Sequence, residues 1–132
     1  MRFKNQPGFT LLELIVVLAV SLAIAAFALP RFVSLQENAY IAAVTNSLRN
    51  LSVSQELLFA QTGRYAEDVN EPEFPFEGDR KVHVEIEYVL PDNSWFATAY
   101  HLGAPDVVCG IAFGRTIPVG WVGNRVECSV PN

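Results

Sequence analysis

An uninterrupted apolar stretch near the start of the chain, Phe9 to Leu29, constrains the fold more than any other feature. It holds about twenty mostly apolar or small residues in a row, which is the length that a helix needs to span the hydrocarbon core of a bilayer. A short leader that carries Arg2 and Lys4 precedes it, and Glu13 is its single charged residue. The stretch therefore predicts a membrane-spanning helix with one carboxylate near its beginning.

Glu13 is costly at this position unless it has a partner. A charged side chain inside hydrocarbon costs roughly 2.5–3.5 kcal/mol on insertion scales, and such residues normally have a partner or a function. The stretch contains no Lys, Arg or His, so the partner has to come from elsewhere. An amine created by cleavage just before Phe9 would lie about one helical turn away, and the same amine on a neighbouring copy would also be in reach. The alternative is that Glu13 lies at headgroup depth and is solvated.

The run from Gly8 to Leu14, Gly-Phe-Thr-Leu-Leu-Glu-Leu, resembles the processing motif of type IV prepilins and of the related type II secretion pseudopilins. The resemblance covers the leader and the first helix, roughly a fifth of the chain. It implies that a membrane peptidase cleaves after Gly8 and N-methylates the new first residue, Phe9. It also implies that Glu13 neutralises the N-terminal amine of an adjacent subunit during filament assembly.

An ordinary secretory signal is the competing interpretation of the same stretch. Such a signal has a basic leader, an apolar core and an Ala-x-Ala cleavage site, and Ala23-Ile24-Ala25 meets the last criterion. The apolar run nevertheless continues to Leu29, and Glu13 is unusual in a signal core. Ala19, Ala23 and Ala26 recur at helical spacing, which also suits close packing between helices.

The charge distribution predicts the orientation of the chain and argues against nucleic acid as its main partner. Arg2 and Lys4 favour a cytoplasmic N-terminus, so everything after Leu29 lies outside the cytoplasm. The chain has 9 basic and 14 acidic residues, and loss of the leader leaves 7 basic residues and a side-chain charge of −7. Phosphate binding uses clustered Lys and Arg. Contact with DNA through aromatic residues near Arg115 and Arg125 therefore stays a disfavoured alternative.

Pro30 follows the apolar stretch and predicts a kink or a local break in the helix. The helical pattern continues beyond it, because residues 31–61 contain no further Pro and no Gly. Apolar residues recur there at helical spacing, at Val33, Tyr40, Val44, Leu48, Leu51 and Leu58. Glu37 and Gln55 fall close to this stripe. The prediction is one helix from Phe9 to about Gln61, roughly 80 Å long, apolar in its first half and amphipathic in its second.

The rest of the chain predicts a small β-rich head. Arg64 to Asp79 indicates a loop, with Phe74 and Phe76 as anchors onto the helix. Its acidic residues are the oxygen ligands that calcium prefers, but it lacks a compact calcium-binding pattern, which favours a solvated loop. From Lys81 onwards the periodicity changes to two. The predicted elements are a strand from Lys81 to Leu90, a turn at Pro91–Ser94, a strand at Trp95–Leu102, a turn at Gly103–Asp106, a strand at Val107–Phe113 and a strand at Trp121–Ser129.

The predicted fold is therefore α+β, a long N-terminal helix packed against a small antiparallel sheet of about four strands. Cys109 and Cys128 lie in its exported part, where disulfides persist. A bond between them would close a loop of about 20 residues and contribute about 3 kcal/mol in the chain-entropy model. The head has only about 70 residues, and domains of this size have marginal cores. The pairing resembles the C-terminal disulfide region of many pilins, whereas a redox role lacks a Cys-x-x-Cys motif.

Catalysis finds little support in the sequence. It contains no Gly-x-Ser-x-Gly, no phosphate loop and no zinc-ligand spacing. His83, Glu85 and Glu87 could form a metal cluster, but all three fall on the polar side of a strand, which favours a solvated face. Asn50-Leu51-Ser52 matches a glycosylation sequon, although its mid-helix position argues against use. The prediction is a non-enzymatic chain without cofactor or metal.

The resemblance implies a structural subunit of a type IV pilus, with adhesion, twitching motility or DNA uptake as its role. The implied segments are a leader (1–8), a transmembrane and filament-core helix (9–29), an amphipathic half-helix (30–62) and a head (63–132). The implied partners are further copies of the chain, a prepilin peptidase, the pilus assembly platform and minor pilins. The precursor would lie in a bacterial inner membrane and the filament outside the cell. The alternatives are a secretion pseudopilin or a minor or competence pilin, and a membrane-anchored binding domain or enzyme that never polymerises.

Overall fold

The computed structural model describes residues 8–129, which form one long helix followed by a four-stranded sheet. The elements are α1 (Leu11–Thr62), β1 (Val82–Val89), β2 (Trp95–His101), β3 (Ala104–Phe113) and β4 (Val126–Ser129). All neighbouring strands pair antiparallel, in the order β1-β2-β3-β4. This is the predicted α+β architecture. The predicted leader, apart from Gly8, lies outside the described residues.

Contacts divide the chain into two compact units, with the boundary between Gln36 and Glu37. In the first unit every described side chain is exposed. α1 is long and apolar enough to cross a membrane, and none of its apolar window is buried. Pro30 lies inside α1, so the helix continues past the proline as predicted. Because proline has no N–H, the carbonyl of Ala26 lacks its usual donor at this point; a kink there stays a prediction.

In the second unit one face of α1 packs against the sheet. The helix contributes apolar side chains at Val44, Leu48, Leu51 and Leu58, and the strands contribute Val82, Val84, Ile86, Trp95, Ala97, Ala99 and Ile111. Trp95 is fully buried and stacks on Phe113, with 6.1 Å between the ring centroids. Val33 of the predicted stripe is 54% exposed and belongs to the first unit, so burial along the helix begins at Tyr40.

β1 shows the alternation that its sequence predicts, but only over its first part. Val82, Val84 and Ile86 are buried, and the residues between them are exposed. The pairing register with β2 shifts between Ile86 and Tyr88. This bulge inserts one extra residue and ends the alternation, so Tyr88 is only half-buried.

Two predicted boundaries in the sheet are wrong. The turn predicted at Gly103–Asp106 consists of Leu102 and Gly103 alone, because β3 already begins at Ala104. His101 faces Ala104 while Tyr100 faces Val108, which leaves residues 105–107 without partners on β2. Pro105 has no N–H to donate, and an irregularity of this kind is where a sheet tolerates it.

The fourth strand is also shorter than predicted, since β4 starts at Val126 rather than at Trp121. Gly120 and Asn124 have φ values of 92° and 60°, which a regular strand does not accommodate. β4 is held by a disulfide, because Cys109 and Cys128 stand opposite each other in the β3–β4 register and are bonded. The bond attaches a strand of four residues to the buried position of Cys109.

Candidate functional site

The segment before α1 is open and irregular. Gly8, Phe9 and Thr10 belong to no helix or strand and are exposed, with Phe9 at 80%. A Cβ placed on Gly8 would meet no atom within 4 Å. Within residues 8–129, no other part of the chain therefore crowds Gly8, the predicted cleavage residue.

The helix begins with a reciprocal cap between Thr10 and Glu13. The hydroxyl oxygen of Thr10 accepts a hydrogen bond from the Glu13 N–H at 3.2 Å, and Glu13 Oε2 accepts one from the Thr10 N–H at 3.5 Å. This is a capping box, which satisfies backbone donors that the first turn of a helix leaves unpaired. It also holds the carboxylate at the helix N-terminus, where the helix dipole favours negative charge. This cap was not among the predictions from the sequence, although the Thr-x-x-Glu spacing is its signature.

Between Glu13 and Pro30, α1 carries only apolar or small side chains and no charged one. The hydroxyl of Ser21 donates to the Val17 carbonyl at 2.8 Å, so this polar group is satisfied within the helix. Large exposed apolar side chains cover the helix here: Leu14, Ile15, Val16, Val17, Leu18, Val20, Leu22, Ile24, Phe27 and Leu29. Such a surface is stable only against lipid or other apolar protein surface.

In the head, Gln55 fastens the loop after α1 to the helix. It is fully buried. Its Oε1 accepts a hydrogen bond from the Ala66 N–H at 2.8 Å, and its Nε2 donates to the Ala66 carbonyl at 3.0 Å. Ala66 is itself buried, so both of its backbone groups are satisfied by one side chain. The sequence showed only that Gln55 lies near the apolar stripe.

Tyr65 makes a second contact between the loop and α1, next to the Gln55–Ala66 pair. Its ring stacks on Phe59 at 4.6 Å between centroids, and its hydroxyl donates to Glu56 Oε1 at 3.0 Å. Burial, together with this hydrogen bond, raises the pKa of Tyr65 to about 12. The phenol therefore stays protonated at physiological pH and keeps its bond to Glu56.

The acidic loop is organised around Glu71. Glu71 Oε1 accepts from the backbone N–H groups of Glu67 and Asp68, at 2.6 and 3.3 Å, and its Oε2 accepts from Arg64 Nη1 at 2.8 Å. The hydrogen bond from Arg64 is the largest cause that lowers the pKa of Glu71, and the two backbone bonds add to it. Asp68 accepts from the backbone and side chain of Asn70. Among residues 8–129 no three side chains form a cation-binding cluster.

The β1–β2 turn is tied to the segment after β3 by Ser94. This buried hydroxyl oxygen accepts hydrogen bonds from the N–H groups of Arg115 and Thr116, at 2.9 and 3.0 Å. The hydroxyl of Thr116 donates to Asp92 at 2.7 Å, and this bond is the first cause that lowers the pKa of Asp92. Gly114, with φ of 99°, lets the chain pass close to Ser94.

The remaining candidate residues do not come together in one binding or catalytic site. His83, Glu85 and Glu87 lie on the exposed side of β1, where Glu87 accepts a hydrogen bond from the Thr98 hydroxyl at 2.5 Å. Arg115 and Arg125 are exposed, and Trp121 is half-buried, with its ring edge-on to Phe96. His101 is buried, and its Nδ1 accepts from the Gly103 N–H at 2.9 Å.

Comparison with known proteins finds similarity at the N-terminal segment and beyond. The prokaryotic N-terminal methylation motif matches residues 3–29. Over 77 residues, which are 58% of this chain, the sequence is 35% identical to the type IV major pilin protein PilA of Myxococcus xanthus (strain DK1622). The match covers 35% of that protein, so the chain spans about a third of the length of this curated relative.

Proposed function

The N-terminal motif and the similarity to a type IV major pilin support the type IV pilin family, and from that premise we propose that the chain is a structural subunit of a type IV pilus filament. In this proposal a prepilin peptidase cleaves after Gly8 and methylates the amine of Phe9. The processed subunit stays in the inner membrane through α1. It then joins a helical polymer outside the cytoplasm, with the assembly platform and minor pilins as further partners.

The observation that carries this proposal is the exposed apolar half of α1, with Glu13 at its beginning. Buried apolar surface contributes roughly 25 cal/mol per Å², so side chains such as Phe27, 79% exposed, are strongly stabilised when covered. Lipid can cover them in the membrane, and helices of neighbouring subunits can cover them in a filament. Ala19, Ala23 and Ala26 allow such helices to approach closely.

Glu13 supplies the specific interaction. Its Oε2 accepts from Thr10 in the capping box, and no donor within residues 8–129 bonds to Oε1, so this oxygen can accept from a second donor. The N-terminal amine of an adjacent processed subunit is a donor of the right charge, and pairing removes the cost of a lone carboxylate in an apolar surrounding. The cap fixes the side chain before assembly, so less conformational entropy is lost when the amine binds.

Intact mass and N-terminal sequencing of the membrane-extracted protein test the processing step. The expected product starts at N-methyl-Phe9. A Gly8→Val variant should remain unprocessed, because a branched side chain replaces the hydrogen at the proposed cleavage position. A product starting near Ala26 would instead identify a secretory signal and contradict the proposal, and an intact Met1 would favour a simple membrane anchor.

Substitutions at Glu13 test the assembly step. Glu13→Ala should reach the membrane at normal levels and yield few or no filaments in a shearing assay. Glu13→Gln retains an acceptor for the cap, since Gln also serves in capping boxes, but it loses the charge; it should fail as Glu13→Ala does. Glu37→Ala, an exposed acid in the same helix, is the matched control and should assemble normally.

Normal assembly of Glu13→Gln would assign Glu13 to capping alone and refute the amine pairing. The location of the fibre separates the pilus from the secretion pseudopilin. Immunogold labelling of intact cells should detect the head on surface filaments, whereas labelling only after the outer membrane is opened would favour the pseudopilin.

A further inference from the structure

The outer edge of β1 borders a groove that the filament proposal does not use. The groove has a volume of about 230 Å³ and is lined by four consecutive residues of β1, His83 to Ile86, and by residues 67–70 of the loop. Consecutive side chains of a strand point to opposite faces of the sheet. A groove that contacts all four therefore runs along the edge of the strand rather than over one face.

Backbone groups of Val84 and Ile86 point towards this groove. The β1–β2 register pairs Val82 with His101, and just beyond this pair the Leu102 N–H donates to the Lys81 carbonyl at 2.8 Å. Every second residue of an antiparallel strand bonds to the same neighbour, so residues 81, 83 and 85 bond to β2, while residues 82, 84 and 86 point outwards. Val82 agrees with this alternation, because its N–H donates to the Asp79 carbonyl at 3.0 Å. Within residues 8–129 no corresponding bond is made by Val84 or Ile86 on the outer side.

The groove is acidic. Glu67, Asp68 and Glu85 contribute carboxylates to it, and none of its lining residues in the described chain is Lys or Arg. The side chains of Glu67 and Glu85 are on exposed residues and make no hydrogen bond within the described part of the chain. A second copy of β1 would bring the same carboxylates against these, which disfavours edge-to-edge pairing of two copies.

From these observations we propose that the edge of β1 is a docking site for an extended peptide segment of another protein that carries Lys or Arg. The segment adds to the sheet as a fifth strand next to β1. Its backbone bonds to the outward N–H and C=O groups of Val84 and Ile86, which is the strand-addition mode of peptide recognition. Its cations face Glu67 and Glu85, and this complementarity selects basic partners.

The test uses the full chain in detergent micelles and a blocked hexapeptide of alternating Lys and Val as the probe, so it does not depend on filament assembly. Amide hydrogen exchange of Val84 and Ile86 should slow at least tenfold when the peptide is bound. The amides of His83 and Glu85 already bond to β2 and should not change. The same peptide with N-methyl groups on alternate amides should bind at least tenfold more weakly, and a Glu-Val hexapeptide should not bind.

Charge reversal provides matched variants. Glu67→Lys combined with Glu85→Lys should weaken binding of the Lys-Val peptide at least tenfold. Glu77→Lys combined with Asp106→Lys changes the same charge at exposed positions outside the groove and should leave binding unchanged. Equal binding of the N-methylated peptide would show charge adsorption without strand addition and overturn the proposal. Protection of Val84 and Ile86 that rises with protein concentration alone would identify a second copy as the occupant and overturn it as well.

Discussion

Gln55 in α1 and Ala66 in the following loop exchange two hydrogen bonds, of 2.8 and 3.0 Å, in the interior of the head. The pair fixes the point at which the chain leaves the helix and turns towards the sheet. A long polar side chain in an apolar interface is tolerated here because both of its polar ends are bonded.

Gln55→Leu should therefore destabilise the head although it replaces a polar core residue with an apolar one of similar size. It leaves the N–H and C=O of Ala66 buried without partners, and each such group costs about 1–3 kcal/mol. Denaturant unfolding of the full chain in micelles, followed by Trp fluorescence, measures the loss. Gln61→Leu, at an exposed position of the same helix, should change stability by less than about 0.5 kcal/mol. Equal stability of the two variants would mean that the Gln55–Ala66 hydrogen bonds do not stabilise the head.

Gly114→Ala should destabilise the fold more than an ordinary glycine substitution. A Cβ at Gly114 would come within 2.6 Å of Ser94 Cα and also clash with Ser94 Oγ, and its φ of 99° is unfavourable for alanine. The expected loss exceeds about 2 kcal/mol in the same unfolding assay. Gly120→Ala is the control, because Gly120 has a similar φ of 92° but no neighbouring atom within 4 Å. The difference between the two variants isolates the steric clash, and no difference would disprove it.

Removal of the disulfide should weaken the attachment of β4. The bond joins residues 19 apart in sequence, and the chain-entropy model gives a loop of this length about 3 kcal/mol. The double variant Cys109→Ala, Cys128→Ala should unfold at correspondingly lower denaturant concentration and expose the amides of β4 to hydrogen exchange. Wild-type protein treated with reductant should approach the same midpoint, whereas the double variant should not respond to reductant. An unchanged midpoint in both cases would argue against a stabilising role.

The Arg64–Glu71 pair should make the stability of the fold depend on pH in the acid range. The pKa of Glu71 is lowered in the folded state, first by its hydrogen bond from Arg64. The contribution of Glu71 to the free energy of unfolding is therefore fully present above the pKa that Glu has in the unfolded chain, about 4.3. It is lost as the pH falls through the lower pKa of the folded state. Glu71→Gln should flatten the decline of stability below about pH 4.3, while Glu77→Gln should retain it. Parallel curves for wild type and Glu71→Gln would refute the linkage.

Thr10→Val should loosen the first turn of α1. Valine has nearly the same shape but cannot accept the hydrogen bond that Thr10 Oγ1 receives from Glu13, and loss of such a cap costs about 0.5–2 kcal/mol. Amide exchange of Glu13 and Leu14 in micelles should accelerate. Thr10→Ser keeps the hydroxyl and should exchange as wild type does; acceleration in both variants would exclude the hydroxyl as the cause.

The long helix and the alternation of β1 were predictable from the amino-acid sequence. Both are local patterns, because about twenty apolar residues in a row and a period of two each specify one kind of element before any tertiary contact forms. The same locality made Gly8, Phe9 and Glu13 stand out, since their motif lies within six consecutive residues.

Contacts between segments far apart in the sequence determine which polar residues are buried and where the strands end. The polar side chains of Gln55 and Ser94 are tolerated in the interior because their oxygens accept hydrogen bonds from distant backbone N–H groups. The donors are Ala66 for Gln55, and Arg115 and Thr116 for Ser94. Pro105 lies within β3 because the β2–β3 register skips the residues around it. No local pattern encodes these pairings, because they depend on which segments the fold brings together. The position of β1 at the edge of the sheet, as the described residues show it, likewise follows from the strand order.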